Sequence, residues 1–132
     1  MGDSPESVVR KFVAAWAEPK ADELVNFLAE DAVWVDGPQG VRRGADAVVD
    51  ELVKQLSITA PSTIEISTLV ANGGTVMVEW HGRWTMGDKP IYTTVMAAFE
   101  VDGNGRIKQM RESYDLKSVM DQIEAAGYTL PG

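Results

Sequence analysis

Cysteine is absent from the 132 residues, and histidine occurs once, as His81. Disulfide frameworks, thiolate zinc sites, iron–sulfur clusters and thiol nucleophiles are therefore excluded, and so is a metal site built from histidine alone. A Ser-His-Asp triad would have to use the single imidazole. The lack of cysteine fits a reducing compartment, and the expected location is cytoplasmic. Basic residues are also scarce, 12 against 20 acidic ones for a formal charge of −8, the wrong sign for binding a phosphate backbone. Nucleic acid is not an expected partner. No apolar run approaches the roughly 18 residues that cross a bilayer, and the N-terminus has neither a basic segment nor an apolar one, so no membrane is expected either. Repeats and low-complexity linkers are missing, and the length suits one domain over residues 1–132. A domain of this size buries enough core to enclose a small cavity without a disulfide or structural metal.

Ser4-Pro5-Glu6 is a helix start, with a capping hydroxyl and a proline at the first helical position. Val8, Val9, Phe12, Val13 and Trp16 follow at helical spacing, and Pro19 ends the run. A shorter helix carries Leu24, Val25, Phe27 and Leu28 and closes at Glu30-Asp31, ahead of a strand over 32–36. The Gly37-Pro38-Gln39-Gly40 break precedes a third helix, opened by Gly44-Ala45-Asp46, with Val48, Val49, Leu52, Val53 and Leu56 on one stripe. From Thr63 the pattern becomes β. Strands over 63–70, 75–85, 91–101 and 106–114 are separated by the turn signals Asn72-Gly73-Gly74, Gly87-Asp88-Lys89-Pro90 and Asp102-Gly103-Asn104-Gly105. They make an antiparallel meander. A last helix over 116–126 starts after Asp115, its expected N-cap, and stops at Gly127. Helices segregated to one side of such a sheet define an α+β domain, and a twisted sheet lets them close a blind pocket over its concave face.

Period-two alternation sorts the strand residues by face. Val76, Val78, Trp80, Gly82 and Trp84 form the apolar, inward set, which puts His81 outside. Met110, Glu112 and Tyr114 share a face, as do Trp34 and Asp36. Glu112 reads two ways: an acid ion-paired with Arg111 or Arg83 on a solvated face, or a buried acid with a purpose. Asp36, before Gly37-Pro38, is by pattern a turn residue or a pocket acid. Val33, Val35 and the side of the neighbouring strand carrying Met96 and Ala98 leave apolar residues on the face away from the helices, which predicts a homodimer.

Three segments carry a resemblance: Phe27-Leu28-Ala29-Glu30-Asp31-Ala32-Val33-Trp34-Val35-Asp36, Gly44-Ala45-Asp46-Ala47-Val48 and Met110-Arg111-Glu112-Ser113-Tyr114-Asp115-Leu116. In this order they resemble the superfamily of nuclear transport factor 2, ketosteroid isomerases, SnoaL-type polyketide cyclases and limonene-1,2-epoxide hydrolases. The closing segment is most similar to the epoxide hydrolases. The resemblance implies a cone-shaped α+β fold with a curved, mostly antiparallel sheet and helices around a blind pocket. It places Trp34 at the family's water-holding tyrosine, Asp36 at its asparagine and Glu112 at its water-activating aspartate. The family's Arg-x-Asp pair is missing, since the matching inward stretch reads Val78, Trp80, Gly82. Against the isomerases, Asp36 matches the base, while Phe12 and Ala97 stand near the positions of the oxyanion-hole tyrosine and acid.

With the resemblance placing both acids in the pocket, Asp36 and Glu112 are the candidate catalytic pair. Trp16, Trp34, Trp80 and Tyr114, with Phe12 and Val13, are the candidate substrate-binding residues. Desolvation and mutual repulsion raise a carboxyl pKa, so one acid of such a pair stays protonated near neutrality. An aromatic pocket of this kind suits a terpenoid, steroid or polyketide-like molecule. No metal or cofactor is expected, because His81 alternates outward and no carboxylate cluster beyond these two forms a hard-cation cage. Two functions remain open: a cofactor-independent acid–base enzyme, whether hydrolase, isomerase or cyclase, and a hydrophobic ligand-binding module.

Overall fold

The computed structural model describes residues 3–129. Helix α1 (Pro5–Ala14) begins as its sequence dictates, with the Ser4 hydroxyl accepting from the Ser7 amide and Pro5 in the first turn. Such a cap contributes about 1 kcal/mol. A 3₁₀ turn (Ala15–Ala17) carries Trp16. Helix α2 is a single turn (Ala21–Leu24) followed by 3₁₀ at Val25–Phe27. Strands β1 (Leu28–Asp36) and β2 (Gly40–Arg43), helix α3 (Ala45–Thr59), strands β3 (Thr63–Asn72), β4 (Thr75–Met86), β5 (Lys89–Val101) and β6 (Ile107–Tyr114), and helix α4 (Leu116–Ala125) complete the order. Asp115 caps α4 by accepting from the Ser118 amide at 2.9 Å.

The six strands form one mixed, curled open sheet in the order β2-β1-β6-β5-β4-β3. The expected meander is β3 to β6, antiparallel throughout. Beyond it β1 joins β6 in parallel, and β2 folds back on β1 as an antiparallel edge. Two expectations need correction here. The short helix expected to carry Leu24 to Leu28 and close at Glu30-Asp31 is α-helical only to Leu24 and 3₁₀ to Phe27, and the strand read from residue 32 begins at Leu28. Leu28 pairs with Ile107, a contact from the far end of the chain, and the register slips between Leu28 and Val33. Tertiary pairing thus overrides the local helical spacing of Leu24, Val25 and Phe27. Strand β2 had no period-two apolar signal, because it is an exposed edge strand of only four residues.

The core lies between the concave face and the helices. Phe12 is its centre, 5.5 Å between ring centroids from both Trp16 and Phe27 and 6.4 Å from Phe99. A second cluster, Trp84, Ile91, Val119 and Ile123, seats α4 on the sheet. The outer face carries His81, whose ring bonds Thr94 and Ser67. The apolar side chains exposed there include Val70, Met77 and Met96, whereas Ala98 is buried between its cross-strand neighbours Met77 and Arg111.

Candidate functional site

Parallel pairing of β1 with β6 sets Asp36 directly beside Glu112, and Trp34 beside Met110. The same ladder continues from Glu112 to Ala97 on β5, and from Tyr114 to Val95 to Trp80. Of these, Trp34, Asp36, Trp80, Val95, Glu112 and Tyr114 line a cavity of about 650 Å³ roofed by α3 and α4, within the usual range for small-molecule sites. All four tryptophans of the chain line it. Gly82 belongs to the wall by necessity: a Cβ there would stand 3.0 Å from the Trp80 ring and 3.1 Å from the Thr93 methyl group.

Asp36 is fully buried. The Tyr114 hydroxyl donates to its Oδ1 at 2.8 Å, and Gln55 Nε2 donates to Oδ2 at 3.0 Å. Gln39 Nε2 in turn donates to the Tyr114 oxygen and reaches Asp36 Oδ2 only at 3.5 Å. Both carboxylate oxygens thus have donors, the hydrogen-bonding complement of the ionised form. Gln55 also contacts Glu51 Oε1 at 3.3 Å, and Arg42 Nη2 meets the same oxygen at 3.2 Å. A continuous polar chain therefore runs from Arg42 through Glu51 and Gln55 to Asp36 and Tyr114.

Glu112 is buried to 8% exposure and accepts a 2.8 Å hydrogen bond from Trp34 Nε1 on Oε1. Burial, then the negative charge of Asp36, push its carboxyl up to about 7. The indole N–H groups oppose that rise, chiefly that of Trp34; Trp80 faces the same carboxylate from outside hydrogen-bond geometry. Burial likewise raises the Tyr114 hydroxyl, and its bond to Asp36 adds to this while the one from Gln39 opposes it. Tyr114 is therefore a neutral donor to Asp36. Glu112 is not in an ion pair with Arg111, which bonds Glu100 at 2.9 Å instead, nor is Asp36 an exposed turn residue.

Trp16, Trp34, Trp80 and Tyr114 line the cavity with Asp36 and Glu112. Phe12 and Val13 do not. They lie in the core, where the inward face of α1 meets Phe27 and Phe99, and the Trp16 ring one turn later forms the wall instead. Gln39 and Gln55 were missed. Gln55 had a signal, since it falls three residues after Leu52 and seven after Val48 and so sits on the buried stripe of α3. Gln39, in a Gly-Pro-Gln-Gly break, had none. Among the described residues no group of three or more His, Asp or Glu is placed to hold a metal ion, and no helix is long and apolar enough to cross a membrane.

A curled sheet with helices over a pocket that holds two buried acids defines a class, and comparison with known proteins agrees with it. The family model of the SnoaL-like domain matches residues 9–110, so the chain belongs to that family. No curated protein matches the sequence. Among solved structures, the epoxide hydrolase/cyclase-like enzyme SalBIII, described in pyran ring formation in the polyether salinomycin, is 21% identical with a TM-score of 0.75, over 86% of this chain and 92% of that one. A hypothetical protein from Catenulispora acidiphila with a ketosteroid isomerase-like fold, in complex with trimethylamine, is 20% identical with a TM-score of 0.79, over 93% and 97%. An M. tuberculosis LEH-like epoxide hydrolase is 21% identical with a TM-score of 0.76, over 92% and 90%. At these identities the likeness is one of fold.

Proposed function

We propose that the protein is a cofactor-independent acid–base enzyme, working as a homodimer, that opens an epoxide on a small hydrophobic molecule of terpenoid, steroid or polyketide type. The observation that carries this reading is the division of labour between the two adjacent acids. Glu112, pushed up to about 7, is about half protonated at neutral pH and has a proton to give, whereas Asp36 is furnished with donors on both oxygens and acts as the base. Asp36 takes a proton from water as that water attacks an oxirane carbon. The carbon–oxygen bond breaks, and Glu112 delivers its proton to the leaving oxygen. A proton passing from Asp36 to Glu112 restores the start. Glu112 thereby takes the acid's part left open by the missing Arg-x-Asp pair. The same pair supports a second reading, enone isomerisation, with Asp36 moving the proton and protonated Glu112 donating to the carbonyl oxygen.

The test is turnover of a panel of cyclic epoxides and β,γ-unsaturated ketones by the wild type, Asp36→Asn and Glu112→Gln. Each variant is expected to lose about a hundredfold or more with ligand binding preserved, and kcat/KM to fall above about pH 7 as Glu112 ionises. Equal turnover by all three forms removes these carboxylates from the chemistry. Tight binding without turnover by any form makes the protein a ligand-binding module.

A further inference from the structure

The cavity is charged unevenly along its depth. Its buried carboxylates, Asp36 and Glu112, stand together at the floor on β1 and β6. Its two cations stand at the opening, Arg42 on β2 and Lys54 on the exposed side of α3. The arrangement is unusual in a chain whose acidic residues outnumber its basic ones by 20 to 12. Arg42 is engaged with Glu51. Lys54 forms no ion pair among the described residues. One turn further along α3, and across from it on α4, the opening presents two exposed apolar side chains, Ile58 and Met120.

We propose that the ligand of this cavity is an amphipathic acid, an apolar body whose carboxylate stays at the opening against Lys54, with Arg42 as the second and weaker cation. The inference rests on the reading of the cavity as a site for a small hydrophobic molecule and names the class within it. Two effects act in the same direction. An anionic group at the floor meets the carboxylate of Asp36, and that of Glu112 once it is ionised, in a medium of low dielectric, where opposition between like charges is many times stronger than in water. At the opening the same group meets two cations and one carboxylate, Glu51, while its apolar body lies against Ile58, Met120 and the tryptophan walls. The ligand's orientation follows. Its neutral end goes to the acid pair, where a reacting group must sit, and its charge remains in contact with solvent, so the carboxylate is never desolvated. Lys54 suits this part because its aliphatic stem can lie along apolar surface while the ammonium stays hydrated.

All four tryptophans line the cavity, so intrinsic fluorescence reports its occupation. Citronellate and methyl citronellate share one apolar body and differ in charge. Their affinities are measured for the wild type, Lys54→Met and Lys54→Glu, each checked by circular dichroism. In the wild type both ligands quench. The ratio of acid to ester affinity is expected to fall about threefold in Lys54→Met and about tenfold in Lys54→Glu, with the ester's own affinity within about twofold. Salt at 1 M, where the screening length is about 3 Å, collapses the wild-type ratio toward that of Lys54→Met. A ratio indifferent to Lys54→Glu, or a cavity that takes the ester and refuses the acid, overturns the acid site and leaves the hydrophobic cavity standing. Binding of neither ligand overturns both.

Discussion

At Glu112 burial and a neighbouring negative charge act together, and folding stability registers them. The carboxyl titrates near 7 in the folded protein against about 4.5 for the ordinary group. Between those pH values the folded chain keeps a proton that the unfolded chain has released, so stability falls as pH rises through the window. Below about 4.5 the residue contributes nothing. Above about 7 the full penalty applies, on the order of 3 kcal/mol. Glu112→Gln removes the ionisation, and urea unfolding is expected to show the variant equal to the wild type near pH 4.5 and more stable near pH 8 by about 1–3 kcal/mol. A wild type whose stability is flat across that range contradicts the buried acid. Glu112 was visible in the sequence as the odd member of an apolar alternation, between Met110 and Tyr114, whereas Asp36 read by pattern as a turn residue before Gly37-Pro38 and came to the pocket only through the family resemblance. Their partners were less visible. That Trp34 and Tyr114 each hold one acid by a hydrogen bond depends on the β1–β6 register, which no local pattern encodes.

The end of β1 depends on a close approach. The Gly37 amide donates to the Glu112 carbonyl at 3.0 Å, and a Cβ on Gly37 would lie 2.3 Å from that same oxygen. Backbone atoms cannot yield as a flexible side chain does, so Gly37→Ala has to push the end of β1 away from β6, exactly one residue after Asp36. We expect a loss of about 1–3 kcal/mol in stability and a fall in turnover out of proportion to it, measured at a temperature where the variant is fully folded. Unchanged activity there shows that the acids need no such registration. Among the elements, the meander was legible because its strands alternate cleanly and its turns carry Gly, Asn and Asp. So was α1, through Ser4 and Pro5. The short α2 and the first half of β1 were misjudged, since the helical spacing of Leu24, Val25 and Phe27 runs past the four residues of helix into a strand that is stabilised by its pairing with Ile107. Edge strand β2 was silent, because its four residues leave no periodic trace.

At the scale of the whole molecule the sheet has one face under the helices and one bare. Met77 and Met96 are 58% and 57% exposed on the bare face, where Val70 pairs with Met77. Apolar surface of this kind is rarely left open on a small domain, and light scattering at micromolar concentration is expected to give twice the 14.4 kDa of the single chain. Met77→Lys with Met96→Lys should return it to one chain with the cavity intact. A wild type that scatters as a single chain rules the dimer out. The overall architecture was readable because the order of elements and three segments of the sequence resemble one superfamily, whereas the charge gradient of the cavity depends on how α3 lies over β1 and β6. The parallel union of β1 and β6 has a further consequence, which belongs to time rather than to space. During synthesis the chain appears from its N-terminal end, so Asp36 is made long before Glu112, and the strand that will lie beside it comes last of the six. Contacts of such long sequence separation place a fold among the slower single domains. The cavity is therefore a late product of folding, and its final closure is the step at which two carboxylates must be brought together and away from water.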